Sequence, residues 1–235
     1  LHRLISGDLG TSIVSHATVW DTIRPPLERS FALVALSWPL MILMGVGLGA
    51  YLGRTQTGMT IAQIFGAFVT SVPTFVMGLG LILAFAVYMN LLPAAGYSGF
   101  AYLILPVATL ALRGAARIAL ITAISTREAA QHASVEFARI KGLPEHEVTL
   151  RHILPLSAPP IVAVCFLSLA GLLAGVTVVE IVFAYPGAGN LLVEAAIAGD
   201  VPVVQGIALI VAMLILTSNT VGDALVKHFD PRGRA

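Results

Sequence analysis

Side chains that could perform catalysis are sparse in this sequence. Ser98 lies in GYSG (96–99), a match to the G-x-S-G pattern of intramembrane serine proteases. A serine nucleophile needs a general base within hydrogen-bond reach, and none of the six histidines lies in the apolar part of a predicted membrane span. We therefore interpret Ser98 as a turn residue in a loop, with protease activity as the alternative from a different class.

Metal and nucleotide chemistry are not indicated in this chain either. Cys165 is the single cysteine and lies in an apolar run, so it has no cysteine partner for a disulfide or a metal cluster. The sequence contains no G-x-x-x-x-G-K-[ST] loop to hold phosphates. An imidazole nickel site inside the membrane is disfavoured, because the histidines lie in one polar segment or near the termini: His2, His16, His132, His146, His152 and His228.

The composition is that of a membrane protein. Hydrophobic residues make up 57% of the chain and charged residues only 11%, and the mean hydropathy is +0.93. About a quarter of the residues are charged in a soluble domain. The net charge is +1, from 13 basic and 12 acidic residues, and the basic residues are dispersed, which excludes a nucleic-acid-binding surface.

Five apolar stretches are long enough to cross a lipid bilayer as helices, since a crossing needs about 20 residues. The 10-residue alternation of a membrane barrel is absent, so the predicted fold class is all-α, a polytopic transmembrane helical bundle. A loop at 90–100, rich in Pro and Gly, separates the second stretch from the third. The predicted spans are 31–53, 60–88, 102–125, 153–179 and 202–226.

Lys and Arg are distributed unequally between the predicted loops. The loops at 89–101 and 180–201 contain none, whereas the other connections and the C-terminal tail contain eight. Cytoplasmic loops are enriched in Lys and Arg. We therefore predict a transmembrane permease domain at 29–226 with a cytoplasmic loop at 126–152 and a cytoplasmic tail at 227–235.

Residues 1–28 are then predicted to be an external N-terminal segment. An external N-terminus without a signal peptide needs an upstream helix to carry it across the membrane. Since the sequence opens on Leu1, we expect a transmembrane helix to precede it.

The segment EFARIKGLPEHEVTLRHILP (136–155) is unusual because eight of its 20 residues are Glu, Lys, Arg or His. Ser125 and Glu128 have capping-box spacing, so we expect a short helix to begin there. Gly142 fits the position just after a helix, where a left-handed backbone is common, and Pro144 suits the first turn of a second helix. The pattern predicts two short cytoplasmic helices joined by a tight turn, either a docking surface or an ordinary solvated loop.

The same segment resembles the cytoplasmic loop motif of ABC importer permeases: Glu-Ala-Ala, three residues, Gly, nine residues, Ile, one residue, Leu-Pro. The matching positions are Glu136, Ala138, Gly142, Leu154 and Pro155. The sequence departs from the motif at Phe137, which replaces the first Ala, and at His152, which replaces Ile.

Eight short motifs in matching order extend the resemblance over nearly the whole chain. They are GDLGTS (7–12), SVPTF (71–75), LPAAGY (92–97), ILP (104–106), ARIKGL (138–143), VVEIVFAYPGAGNLLVEA (178–195), DVPVVQG (200–206) and DP (230–231). Together they are similar to the dipeptide, oligopeptide and nickel permease family, specifically its B-type subunit. The resemblance implies a type I ABC importer permease of a bacterial or archaeal inner membrane, carrying di- or oligopeptides, with nickel or another small solute as the alternative cargo.

The resemblance also implies partners: a second, related permease, two cytoplasmic ABC ATPases that bind ATP and Mg, and an external solute-binding protein. This chain would then be a transporter subunit without catalytic residues or a cofactor of its own. The short helix after the motif glycine would lie in a cleft of an ATPase and transmit its closure to the membrane helices. The residues implied in this coupling are Glu136, Ala138, Gly142, Leu143, Pro144, Glu145, Leu154 and Pro155.

Arg113 and Arg117 are four residues apart, so they share one face of a predicted span. Charged residues in a span usually face a protein interior or a water-filled path. The family pattern has its basic residues slightly later, at Leu120 and Ala123 of this sequence, so the two arginines depart from it. We hypothesise that they line the translocation path and favour a cargo with a carboxylate; pairing with Glu180 or with helix-end carbonyls is the alternative.

Two further residues are candidates for the path. Glu180 ends the fourth span, before the helix-breaking FAYPGAGN, and could form an outer gate or a re-entrant loop; a carboxylate facing water is the alternative. Pro73 is expected to kink its helix near the path, or to serve packing alone.

Overall fold

The computed structural model describes residues 9–229, and the regular elements in that range are helical. The first helix, α1, covers Val19–Leu52 and begins after Thr18, whose hydroxyl oxygen accepts the amide hydrogen of Asp21 at 3.2 Å. The helix therefore starts before the expected span at 31–53 and includes residues 19–28, which we had assigned to the external segment. Capping by Thr18 explains the earlier start, because it satisfies an amide of the first turn.

The second predicted span is broken into two helices. α2 covers Gln56–Ser71, and α3 covers Thr74–Leu81 and continues as a π-helical segment, π1, at Ile82–Tyr88. The two halves are bent by 95°. Pro73 has no amide hydrogen and disfavours helical backbone at the preceding residue, Val72, whose ψ is 123°. The expected kink at Pro73 is thus a complete break.

The third span, α4, covers Ala101–Ala130, and a short helix, α5, follows at Ala133–Ile140. The predicted helix start at Ser125 is wrong, because α4 continues through it. Thr126 donates its hydroxyl hydrogen to the Thr122 carbonyl at 2.7 Å, as a residue inside a helix does, and the alanines that follow favour continuation. The break comes at His132, whose Nδ1 accepts the Ser134 amide hydrogen at 3.3 Å.

The second short helix is part of the fourth span. α6 (Glu145–Val148) passes into a π-helical turn, π2 (Thr149–Ile153), and then into α7 (Leu154–Val182). The expected separate helix ending at Leu154 and Pro155 is therefore not present, and helix is continuous over Glu145–Val182. A π-helical turn accommodates Pro155, which has no amide hydrogen for the ladder.

Two helices complete the described chain: α8 at Ala188–Ile197 and α9 at Val201–Phe229. Four helices are long and apolar enough to cross a membrane, and the bent pair of α2 with α3 and π1 gives up to five. The predicted all-α, multi-pass fold is confirmed.

The described residues divide into two compact units. The first contains residues 9–37, 73–110 and 171–216, and its core is formed by Val19, Ile23, Leu27, Ala188, Ala195, Val203 and Ile207. The second contains residues 38–72, 111–170 and 217–229, and one of its cores is formed by Met59, Ala62 and Ala123.

In the second unit, α1 packs closely on α4 through glycines spaced by four residues. A Cβ atom at Gly45 would lie 2.6 Å from Ile118 Cβ, and one at Gly49 would lie 2.6 Å from Thr122 Cβ. A Cβ atom at Gly53 would likewise lie too close to Ala123 and Thr126. Small residues at this spacing allow membrane helices to approach closely, so this seam holds the two spans together.

Candidate functional site

The polar segment between α4 and α7 forms a packed unit, which we call the elbow and define as residues 131–153. Val135 and Val148 are fully buried, and Ala138 and Ile153 are buried with them. These four residues form one cluster with Ala129 at the end of α4. The elbow is therefore a folded structure and not a loose loop.

Gly142 ends α5 in the left-handed conformation that its position predicted, with φ of +78°. The Gly142 amide donates to the Arg139 carbonyl at 2.9 Å, and the Leu143 amide donates to the Ala138 carbonyl at 3.3 Å. This pair of hydrogen bonds is a Schellman motif. Leu143 also packs on the core of the elbow, so the direction of the chain after the turn is set by both hydrogen bonds and burial.

An ion pair bridges the Gly142 turn. Arg139 Nε lies 2.9 Å from Glu145 Oε1. Both side chains are substantially exposed, so the pair contributes less than about 1 kcal/mol. Pro144, with φ of −65°, immediately precedes α6. Glu145 and Glu147 lie in the first turn of α6. Carboxylates at this end of a helix interact favourably with its dipole.

Large apolar side chains of the elbow face outward. Phe137 is 58% exposed, Ile140 77% and Leu150 62%. Phe137 and Ile140 are three residues apart and share one face of α5, and Lys141 Nζ lies 4.5 Å from the centre of the Phe137 ring. Leu154 and Pro155 are exposed and Glu136 lies exposed in the first turn of α5. An exposed apolar face in a polar segment is typical of an interaction surface.

Arg113 lies at the break between α2 and α3. Its Nη1 donates to the carbonyl of Val72 at 2.8 Å. This carbonyl lies at the end of α2, where the helical ladder stops, so Arg113 satisfies a polar group that the apolar surroundings could not. Of the alternatives stated above for this arginine, the structure shows pairing with a helix-end carbonyl.

Arg117 lies one turn further along α4 and is exposed. Among the described residues it forms no hydrogen bond or ion pair. Its position is 13 residues before the end of α4 at Ala130, roughly 20 Å along the helix axis. A guanidinium at such a depth in a span costs about 2.5–3.5 kcal/mol on membrane insertion, so contact with lipid is unfavourable and contact with water or protein is favoured.

Glu180 is fully buried near the end of α7, so the water-facing alternative is wrong. Ser30 Oγ donates to Glu180 Oε1 at 2.5 Å. The amides of Gly189 and Asn190 donate to Oε2 at 2.7 and 3.0 Å, and the Ala188 amide donates to Ser30 Oγ at 2.8 Å. The first three amides of α8 are thereby satisfied, and the carboxylate faces the positive end of that helix.

Two tyrosines, Tyr185 and Tyr97, pack together at the loop between α7 and α8. Tyr185 is buried and donates its hydroxyl hydrogen to the Arg29 carbonyl at 3.3 Å. Its ring packs edge-on against Tyr97, with centres 5.3 Å apart, and Arg29 donates to the Pro186 carbonyl at 3.2 Å. Burial raises the pKa of Tyr185 to about 12. The tyrosine therefore stays protonated and can donate throughout the physiological range.

Two motifs that are distant in the sequence meet at Asp200. Its carboxylate, which is 4% exposed, accepts the hydroxyl hydrogen of Ser12 and the amide hydrogen of Ile13 at 3.2 Å. The hydrogen bond from Ser12 holds the pKa of Asp200 below its ordinary value. Ser12 ends GDLGTS and Asp200 begins DVPVVQG, so the pairing ties the start of α9 to the segment before α1.

Sequence reasoning missed Ser12, Arg29, Ser30, Tyr97, Tyr185 and Asp200 as participants in these networks. Ser12, Tyr97, Tyr185 and Asp200 lie within motifs that carry the family resemblance, which is a signal that could have found them. Ser30 and Arg29 carry no such signal, because only the folded chain brings α1 beside α8.

The residues considered for catalysis or metal binding are not grouped into a site within residues 9–229. Ser98 is exposed in the loop between π1 and α4. Cys165 is buried. Within residues 9–229, no three His, Cys, Asp or Glu side chains are grouped so that they could hold a metal ion.

Apolar helices long enough to cross a membrane, a broken span and a packed polar elbow define the chain as a multi-pass α-helical membrane protein. The sequence profile of the binding-protein-dependent transport system inner membrane component family matches residues 31–235. The chain belongs to this family, and it is the permease subunit of an ABC importer. The resemblance stated from the motifs is thus confirmed.

The relatives agree with this assignment. The glutathione transport system permease protein GsiC of Pectobacterium atrosepticum is 33% identical over 98% of this chain and 76% of its own length. The oligopeptide transport system permease protein OppB of Haemophilus influenzae is 31% identical over 100% of this chain and 78% of its own length.

Solved structures share the fold. The MetNI methionine ABC transporter in an inward-facing conformation matches with a TM-score of 0.73 and 18% identity, over 88% of this chain and 96% of that one. An amino acid ABC transporter matches with a TM-score of 0.66 and 16% identity, over 87% and 92% of the two chains.

Proposed function

We propose that this chain forms part of the translocation pathway of an importer for di- or oligopeptides in a bacterial or archaeal inner membrane. Two relatives more than 30% identical are described as transporters of glutathione, a peptide, and of oligopeptides. The eight sequence motifs support the same cargo class. Nickel is the alternative within the family, and no observation on this chain favours it.

The elbow is the part of the chain that we propose as the contact with a cytoplasmic ATPase. The observation that carries this proposal is a rigid turn at Gly142, fixed by the Schellman hydrogen bonds, next to the outward-facing Phe137 and Ile140. A rigid elbow transmits a displacement of the ATPase to the membrane helices, whereas a flexible loop would absorb that displacement. Because α6 and π2 continue into α7, a push on the elbow is delivered directly to a membrane span.

The assembly that we propose contains this chain, a second related permease, two ATPases that bind ATP and Mg, and an external binding protein. Glu136, Ala138, Gly142, Leu143, Pro144, Glu145, Leu154 and Pro155 would shape the contact with the ATPase. ATP hydrolysis would take place on the partner chains, and this chain would supply the path.

Site-specific cross-linking tests the position of the elbow. Ile140→Cys is made in a Cys165→Ala background and compared with Ile197→Cys, another exposed isoleucine, on the predicted external side. We expect a cross-linker of about 10 Å to join residue 140, and not residue 197, to an ATPase subunit. Absence of a link from residue 140, or labelling of residue 140 by an impermeant maleimide added outside intact cells, would contradict the proposal.

Uptake into proteoliposomes tests the cargo. The full-length chain is reconstituted with its partner subunits and binding protein, and uptake of a radiolabelled tripeptide and of ⁶³Ni²⁺ is measured with and without ATP. We expect ATP-dependent peptide uptake. Uptake of nickel without uptake of peptide would favour the alternative cargo, and uptake of either solute without ATP would contradict the importer mechanism.

A further inference from the structure

The two arginines of α4 have different environments. Arg113 is half-buried and its Nη1 is engaged by the carbonyl of Val72 at 2.8 Å. Arg117, about 6 Å further along the axis, is exposed and has no hydrogen-bond or ion-pair partner within residues 9–229. The hydrogen bond to Val72 therefore gives Arg113 a structural role at the helix break. No contact within residues 9–229 gives Arg117 such a role.

Polar groups accompany Arg117 at the same depth of the chain. The hydrogen bond from Arg113 fixes this part of α4 beside the end of α2, where Thr70 and Ser71 are exposed although they lie in a predicted span. Both hydroxyls donate back to carbonyls of α2, at 2.7 Å in each case. The two hydroxyls are satisfied within α2, but an exposed guanidinium is unsuited to lipid, so this face borders water or a partner protein.

No carboxylate in the described part of the chain neutralises Arg117. The fully buried carboxylate of α7, Glu180, already accepts three hydrogen bonds from Ser30, Gly189 and Asn190. The two ion pairs among these residues join Arg24 to Glu28 and Arg139 to Glu145. The guanidinium is therefore open to an anion from outside the chain.

We propose that Arg117 binds the C-terminal carboxylate of a peptide as it passes through the permease. This inference rests on the proposed function, because it names the group by which that cargo is recognised. A guanidinium forms two parallel hydrogen bonds with a carboxylate, and every unmodified peptide carries that group at its C-terminus. A single exposed arginine suits passage, because the peptide must also be released.

Photolabelling tests the site without the binding protein. The tripeptide Ala-photoleucine-Ala is prepared as the free acid and as the C-terminal amide, and each is cross-linked to the purified complex of full-length chain and partners in nanodiscs. We expect the acid to label this chain at least tenfold more than the amide. Arg117→Gln should lower labelling by the acid about tenfold, to the level of the amide, and Arg117→Lys should restore part of it.

The controls separate recognition from folding. Arg24→Gln removes an exposed arginine near the start of α1 and should leave both labelling levels unchanged. Equal labelling of the wild type by acid and amide, no labelling of the wild type, or an equal loss of both probes in Arg117→Gln would each overturn the proposal. The last result would indicate a structural role, such as pairing with a carboxylate of the partner permease.

The proposed function is checked separately by uptake of trialanine into wild-type proteoliposomes with ATP and the binding protein. If that uptake is absent, peptide import fails as the function. The preference for acid over amide in photolabelling still decides whether Arg117 is a carboxylate site.

Discussion

Ser30 Oγ lies 2.5 Å from Glu180 Oε1, although the two residues are 150 positions apart. The hydroxyl donates to the carboxylate and accepts the amide hydrogen of Ala188 at the same time. α1, α7 and α8 are therefore joined by one buried polar network. Such a network stabilises only when every member is satisfied, which makes it sensitive to single substitutions.

Glu180→Gln is expected to lower the free energy of unfolding by about 1–3 kcal/mol, because the amide group of Gln cannot accept at both oxygen positions and leaves a buried donor unpaired. The measurement is the thermal unfolding midpoint of the purified complex. Glu128→Gln, at an exposed position, is the control and should keep the wild-type midpoint. An unchanged midpoint in Glu180→Gln would show that the network does not stabilise the fold.

Gly142→Ala is expected to destabilise the elbow by about 1–2 kcal/mol, because a residue with a Cβ is strained at positive φ. No atom lies within 4 Å of the added Cβ, so strain is the sole cause. Gly171→Ala has equally free space but lies inside α7, and it should be neutral or stabilising. The two variants are compared by thermal unfolding and by the ratio of peptide uptake to ATP hydrolysed, which should fall only in Gly142→Ala.

Gly49→Ala is expected to destabilise the seam between α1 and α4 by about 1–3 kcal/mol through overpacking. The added Cβ would lie 2.6 Å from Thr122 Cβ and would also overlap the Ala119 carbonyl. Gly47→Ala, two residues away with no neighbour within 4 Å, is the matched control. Thermal unfolding should separate the two, and equal midpoints would argue against close packing at this seam.

Asp200 predicts an acid-dependent loss of stability. Its pKa is lowered in the folded chain, so the carboxylate contributes stability above the ordinary aspartate pKa of 3.8 and loses it as the pH falls through the folded value. We expect unfolding midpoints measured between about pH 5 and 3 to decline less steeply in Asp200→Asn than in the wild type.

Ser12→Ala should reduce that slope as well, since the Ser12 hydroxyl is the main cause of the lowered pKa. Asp223→Asn, at an exposed position of α9, is the control and should keep the wild-type slope. A wild-type slope in both Asp200→Asn and Ser12→Ala would contradict the role of this hydrogen bond.

The elements could be predicted where the local pattern is strong. Runs of more than 20 apolar residues leave few alternatives to a membrane helix, and Gly142 and Pro73 were recognised because their backbone chemistry is local. Boundaries were predicted less well. Capping-box spacing at Ser125 did not end α4, because neighbouring residues that favour helix outweighed a local signal.

The features of the candidate site also differ in how far the sequence could predict them. The motif positions of the elbow were identified from their resemblance to a family motif, but their burial and the exposure of Phe137 and Ile140 depend on how α5 packs on α6. Spacing placed Arg113 and Arg117 on one face and could not distinguish them. Only the break at Val72, brought beside α4 by folding, gives one arginine a partner and leaves the other open.

By itself, the sequence determined a polytopic helical membrane protein with one polar elbow and a permease's motifs, because hydropathy and turn chemistry act over a few residues. The tertiary structure alone decided that Glu180 is buried against Ser30 and that Ser12 meets Asp200. Those contacts join residues 150 and 188 positions apart, and a hydrogen bond between such residues exists only after the helices have packed.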